Sequence, residues 1–182
     1  MKCTDMLTAE HKAIRLVLEI MRAMAATAEA TGRLDREDLA TLLDFLREFA
    51  DDYHQGREES VFFPALLDAR IPAPWSSVKA MIFEHNQERS LVEGIEDSLK
   101  TANAKDFAVL ANRLFEILAT HIYKEEYILF DLARNVLNDE DDERIAKALE
   151  RIDKDKGGHF STKFAPTIRK LEWKYLRRQV AG

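Results

Sequence analysis

Four long stretches of this sequence carry apolar residues at the three- and four-residue spacing of an α-helix, and each stripe is interrupted on its inner face by histidine or glutamate. In the first, Leu7, Ile14, Leu18, Met21 and Ala25 leave the slot between Leu7 and Ile14 to His11. In the second, Leu39, Leu43, Leu46, Ala50, Val61 and Ala65 are broken at His54 and Glu58. The third shows Val78, Met81, Ile82, Val92, Ile95 and Leu99, with His85 on the same stripe. The fourth carries Phe107, Leu110, Leu114, Ile117, Leu118, Ile128, Leu129 and Leu132 around His121 and Glu125. Four amphipathic helices joined by short connections are most simply an up-down-up-down bundle, which makes the fold class all-α.

The breaks between stripes support this division. The first helix is expected to start near Thr4 or Asp5, either a suitable N-cap, and to stop at Thr31-Gly32. The second opens at the acidic run Asp35-Arg36-Glu37-Asp38 and ends before Ile71-Pro72-Ala73-Pro74, with Pro64 loosening its last turn. The third begins around Trp75, and the fourth follows Thr101-Ala102-Asn103-Ala104. This bundle occupies residues 1–137. The remainder, 138–182, reads as a helical extension packing on the bundle: a solvated acidic run from Asp139 to Asp142, a short helix with Ile145, Ala148, Leu149 and Ile152 ended by Gly157-Gly158, and a last helix from about Phe160 to Gln179 carrying Phe164, Ile168, Leu171, Trp173, Tyr175 and Leu176. No internal repeat is read beyond an echo of His-x-x-x-Glu.

The heights of the histidines follow from counting. Two residues of an antiparallel helix pair lie level when they are equally far from the turn, since each residue advances about 1.5 Å. His11 and His54 each stand about 21 residues from a turn near Gly32 and Arg33, and His85 and His121 each about 18 from one near Asn103. His54 and His85 come level for a turn centred near Arg70. All four histidines are therefore expected in one layer, and the His-Glu pairs, one helical turn apart, project from the same faces.

Burying a carboxylate without a partner is costly, so glutamates on core faces imply pairing or a metal. Four histidines and two glutamates at one depth suit a dinuclear site, with Glu58 and Glu125 bridging two metals and the imidazoles of His11, His54, His85 and His121 capping them. A single His-x-x-x-Glu pair could be purely structural, but that does not account for the shared level. These residues resemble the hemerythrin-like, or HHE cation-binding, domain. Its pattern matches His11, His54 with Glu58, His85 after Glu84, and His121 with Glu125, over about residues 4 to 135, and Gly56 to Pro64 is the most specific stretch. The resemblance implies a four-helix bundle around a non-haem centre of two Fe ions with an oxo or hydroxo bridge. It also implies binding of O2 or a related small oxidant, peroxide or NO, for sensing, detoxification or iron handling.

Oxygen-carrying members use a fifth histidine four residues from the one on the third helix; here those positions are Met81 and Arg89. Fewer protein ligands leave two open positions, which favours redox reaction over plain reversible carriage, unless water, Glu84 or Glu88 fills one. Weak peroxidase or NO-reducing activity, a reversible oxygen or iron carrier, and a metal-stapled interaction module remain alternatives, and Zn or Mn would suit the same donors. On the fourth helix the carboxylate ligand could be Glu126, although the stripe favours Glu125. Glu10, Glu84 and Glu88 are candidate acceptors for imidazole N–H groups. Tyr53, Tyr123 and Tyr127 flank the ligands and read as edge packing. The ferritin-like alternative needs Glu three residues before a core histidine, which this chain lacks.

Apolar content of 46%, charged content of 33% and a net charge of -6 describe an ordinary globular chain with no general attraction to nucleic acid or an anionic membrane. Lys170, Lys174, Arg177 and Arg178 read as a solvated face, and a protein partner or homodimer through the C-terminal helices is open. No run is long enough to span a membrane and no signal h-region is seen, so the expected address is cytoplasmic. Cys3, the single cysteine, excludes an internal disulfide and reads as a free thiol in a frayed terminus; His159 reads as a loop residue.

Overall fold

The computed structural model describes residues 1–69, 72–155 and 163–177. Helix α1 (Lys2–Thr31) ends where Gly32 takes φ 64°, and its N–H returns to the carbonyl of Ala28 at 2.8 Å. A residue without Cβ adopts this left-handed cap freely. The start differs from expectation, because neither Thr4 nor Asp5 caps it. The first N–H groups, of Lys2 and Cys3, donate instead to Asp142 Oδ2 at 2.8 Å and Oδ1 at 2.9 Å, from a helix far downstream. The terminus is thereby held, so Cys3 is fully buried rather than frayed, and burial pushes its thiol up to about 12. Asp142 is likewise a cap rather than part of a solvated run.

The second bundle helix opens with α2 (Arg36–Phe45), where Asp35 accepts from the Asp38 N–H at 3.2 Å. It widens into π-helical turns over Leu46–Gln55 and Glu58–Phe62 and finishes as α3 (Phe63–Asp68). The third, α4 (Pro72–Thr101), starts a few residues earlier than expected, as a helix can when prolines fall in its first turn. Arg70 and Ile71, on which the expected turn was centred, lie outside the described residues. The fourth begins with α5 (Ala104–Lys124), capped by the Asn103 side chain, widens over Glu125–Leu129 and ends as α6 (Phe130–Val136). Helices α7 (Asp139–Asp155) and α8 (Ala165–Glu172), the latter continued by a wide turn over Trp173–Arg177, are the remaining elements among the described residues.

The wide turns change the register of the core. In each, an N–H reaches the carbonyl five residues back: Phe63 to Glu58 and Phe130 to Glu125. An unbroken α-helix that buries Glu125 would bury Ile128, Leu129 and Leu132. The buried set is Leu129, Phe130 and Ala133, while Ile128 is 55% exposed. One inserted residue shifts the stripe by one. The same shift after Glu58 buries Phe62, Phe63 and Leu66 and leaves Val61 only partly covered. Pro64 falls just past the wide turn, where the ladder is already interrupted and its missing N–H costs little. On α4 the expectation for Ile82 also fails: it is 37% exposed, and Glu88 and Ser98 face inward instead.

The four helices form the up-down-up-down bundle, α5 packing against α1 and α4, and the second helix against both of these. Two apolar cores result. One holds Ile14 to Ala28 of α1, Leu39 to Ala50, Ile95 and Phe107 to Ile122; the other holds Cys3, Leu7, Phe62, Phe63, Leu66, Val78, Met81, Leu129, Phe130 and Ala133. Each fully buried Leu or Phe contributes about 1.5–3 kcal/mol. Ile145, Ala146 and Leu149 of α7 join the second core, and Phe164, Ile168, Leu171 and Tyr175 join the first. Trp173, expected on that stripe, is 59% exposed. Lys174 lies on an exposed face, as expected, and forms a surface ion pair there: its Nζ is 2.6 Å from Asp35 and 2.5 Å from Asp38, at the start of α2. Gly157, Gly158, His159 and Arg178 lie outside the described residues. Among the described residues no helix is long and apolar enough to cross a membrane.

Candidate metal centre

Between the two apolar cores lies a polar layer. His11, His54, Glu58, His85, His121 and Glu125 meet there, each at most 3% exposed. The histidines face inward in pairs, His11 Nε2 to His54 Nε2 and His85 Nε2 to His121 Nε2, each at 3.1 Å. The glutamates stand between the pairs. Glu58 offers Oε1 to His54 and Oε2 to His85, both at 3.5 Å; Glu125 offers Oε2 to His11 at 3.2 Å and Oε1 to His121 at 3.4 Å. Two groups that could each hold a metal ion result, His11-His54-Glu58-Glu125 and Glu58-His85-His121-Glu125, sharing both carboxylates.

The outer edge of each imidazole is held as well. Nδ1 of His11, His54, His85 and His121 lies 2.9, 2.8, 2.7 and 3.0 Å from Glu126, Glu10, Glu59 and Glu84 respectively. An ionised carboxylate only accepts, so Nδ1 carries the proton and the Nε2 lone pair is left pointing into the layer. Behind each carboxylate stands a cation: Arg15 on Glu126, Arg57 on Glu10, Arg89 on Glu59 and Lys124 on Glu84. Two aromatic rings close the side toward the second core. Phe130 stacks on His11 with centroids 5.9 Å apart, and Phe63 on His85 at 5.7 Å.

These contacts follow one rule twice. Glu10-His11 with Arg15 four on corresponds to Glu84-His85 with Arg89; His54, Arg57, Glu58, Glu59 and Phe63 correspond to His121, Lys124, Glu125, Glu126 and Phe130. The layer thus repeats its residue types across the bundle, a wider correspondence than the His-x-x-x-Glu echo alone. The signal was present in the sequence as Glu-His-x-x-x-Arg and as the second Glu of each Glu-Glu pair. Glu59 was missed for that reason, and Glu126, weighed as a rival ligand, sits on the outer side of His11. Glu88, expected as an imidazole acceptor, is not one: its Oε1 is 3.9 Å from His121 Nδ1, beyond hydrogen-bond reach. Tyr53 donates to Asp153 at 2.9 Å, whereas Tyr123 and Tyr127 stack on each other at the surface.

The electrostatics are those of two carboxylates sharing one buried layer with four imidazoles. Burial, with the charge of Glu125, drives Glu58 well above the usual carboxylate range. Burial opposes the charge on Glu125 too, but His121 and His11 outweigh it and hold Glu125 well below. His121 and His11 are raised in turn, while burial lowers His54 and His85. The hydrogen bond from His11, then Arg15, lowers Glu126 to about 2. All four carboxylate oxygens of Glu58 and Glu125 are buried without a hydrogen-bond partner among the described residues. Such groups cost several kcal/mol unless a cation or donor reaches them.

An all-α bundle with paired histidines and shared carboxylates buried at mid-height defines a metal-binding helical protein. Residues 3–133 match the family model described as the hemerythrin HHE cation binding domain, and the chain belongs to that family. Neither the curated proteins nor the solved structures give a significant match.

Proposed function

We propose that the chain is a non-haem di-iron protein that binds O2 or a related small oxidant such as peroxide or NO, in sensing, detoxification or iron handling. His11 and His54 would hold one metal, His85 and His121 the other, and Glu58 and Glu125 would be shared between them. The observation that carries this reading is the set of four orphaned carboxylate oxygens, each glutamate within 3.5 Å of Nε2 atoms from both pairs. The donors fit: imidazole nitrogen and carboxylate oxygen together suit iron, and Zn or Mn as well. Iron, when bound, supplies reversible redox chemistry and positions at which a small oxidant binds.

The chain's own residues fix that chemistry. The Nδ1 carboxylates set the tautomer and aim of each imidazole. Phe63 and Phe130 keep water from one side of the layer. No fifth histidine is supplied on α4, since Met81 lies in the apolar core and Arg89 is engaged with Asp51 and Glu59. This supports redox reaction over plain carriage.

The test is metal content per chain after purification with iron available, with absorption spectra before and after reduction and re-exposure to O2. Two Fe per chain and an oxidised-state visible band are expected, falling to one or none in Glu58→Ala and Glu125→Ala. Two metals retained in both variants would refute the bridging roles. A spectral change that reverses when O2 is withdrawn would indicate a carrier instead.

A further inference from the structure

Beside the layer the correspondence fails at Gln55 and Glu88, and there the structure leaves an opening. Three residues past its histidine, α4 carries Glu88, where α1 carries Ile14; one residue past its histidine, the second helix carries Gln55, where the fourth carries Ile122. Ile14 and Ile122 are each 1% exposed and belong to the same apolar core. On the opposite face, Gln55 Nε2 donates to Glu88 Oε2 at 2.5 Å. Both residues are only 3% exposed, yet Gln55 Oε1 and Glu88 Oε1 have no hydrogen-bond partner among the described residues.

Gln55 and Glu88 stand in the wall of a cavity of about 290 Å³ between the second, third and fourth helices. Leu114 and Leu118 wall it on α5, and its charged lining is Asp51, Asp52, Glu88 and Glu93 against Arg47 and Arg89. Both arginines are already engaged, Arg47 with Glu96 and Arg89 with Asp51 and Glu59. The cavity therefore presents oxygen acceptors and net negative charge, a lining that admits cations and repels anions. Glu88 lies within 3.9 Å of His121, one side chain from the metal layer.

We propose that this cavity captures a divalent cation on the side chains of Glu88 and Gln55 and is the route by which the layer is loaded. The inference rests on the reading of the layer as a metal centre. A carboxylate and an amide oxygen bind a hard cation weakly, which suits a station it must leave, whereas the imidazoles beyond bind it more firmly. Where the repeat places Ile14 and Ile122, no such station exists.

The experiment follows anaerobic uptake of Fe2+ by metal-free protein, quenched at intervals with a fast chelator, in the intact chain, Glu88→Gln and Val92→Trp. Glu88→Gln keeps size and hydrogen bonding but removes the charge; Val92→Trp fills the cavity without touching the layer. Uptake about tenfold slower in both, with the final stoichiometry unchanged and the rate less salt-dependent in Glu88→Gln, is the expected result. Equal rates in Glu88→Gln and the intact chain, which both end with two metals, would overturn the route and leave the metal centre standing. A reduced end point in Glu88→Gln with normal uptake by Val92→Trp would also overturn it, making Glu88 a positioning residue for His121. An intact chain that takes up no metal would refute the centre itself, and the route with it.

Discussion

Each imidazole of the layer has a carboxylate against Nδ1, so Nε2 is the atom offered inward, and in the metal-free protein protons compete for that interior. Glu58 is raised by burial and by Glu125, and His11 and His121 are raised by the carboxylates around them against the pull of burial. A group whose folded pKa is raised keeps its proton to higher pH, and a metal must displace that proton. Affinity is thus expected to rise with pH, and titration of metal into weakly buffered apoprotein near about pH 7 to release at least about one proton per chain. Affinity unchanged between about pH 6 and about pH 8, without proton release, would contradict these assignments. At this scale the sequence was most legible. A glutamate or histidine on a core stripe stands out because burial demands a partner, so all six residues of the layer could be picked out. The outer carboxylates were only half legible: Glu59 and Glu126 follow a buried Glu and look like ordinary surface charges until Nδ1 of a neighbouring helix reaches them. Glu88 was misassigned for a related reason, since helical spacing places it one turn from His85 but cannot say which groups of the neighbouring helices it meets.

At the scale of elements, counting residues from the turns put the histidines level, and counting by the α-helical period failed just past the glutamates. Ile128 was assigned inward and lies out, because the wide turn over Glu125–Leu129 adds one residue to the helix. Nothing in local composition marks such a turn; it is fixed by the need to present Glu125 to the layer while Leu129 and Phe130 meet the second core. The ends of α1 show the same limit, since its N-terminal cap comes from Asp142 rather than from any neighbour in sequence. The wide turn makes a prediction that separates insertion from ordinary helix. Deleting Tyr127, which is 61% exposed, should remove the extra residue and leave Leu129, Phe130 and Ala133 on the α-helical inner face. The fold should survive with a melting temperature within several degrees of the parent. Deleting Glu116 instead, an exposed position inside α5, rotates everything after it by about 100° and should abolish cooperative melting. Equal loss in both deletions, followed by circular dichroism, would mean that the wide turn is not a one-residue insertion.

For the whole molecule, the layer divides what would otherwise be one continuous apolar core. Above it and below it the helices bury leucine and phenylalanine; across it they bury two carboxylates with orphaned oxygens and four imidazoles. In the metal-free state this arrangement opposes folding, because desolvated charges recover only part of their hydration from one another. A bound cation reverses the sign, contributing about 4 kcal/mol when its concentration is about 1,000 times its dissociation constant. The site and the stability of the empty bundle are therefore in tension. Replacing all six residues together with leucine and methionine should join the two cores, abolish metal binding and make the metal-free protein more stable by roughly 1–4 kcal/mol. For a chain of this length that corresponds to a rise of about 2–4 °C per kcal/mol in melting temperature. The outer carboxylates lose their imidazole partners in that variant but keep Arg15, Arg57, Arg89 and Lys124, so they do not become buried lone charges. Replacing Glu125 alone is the contrasting case: His11 and His121 lose the carboxylate that favours their charged form, and the metal-free protein should gain little or lose stability. A sixfold variant that melts below the metal-free parent would show that the layer supports the fold by itself, and the case for a cation as its missing partner would fail.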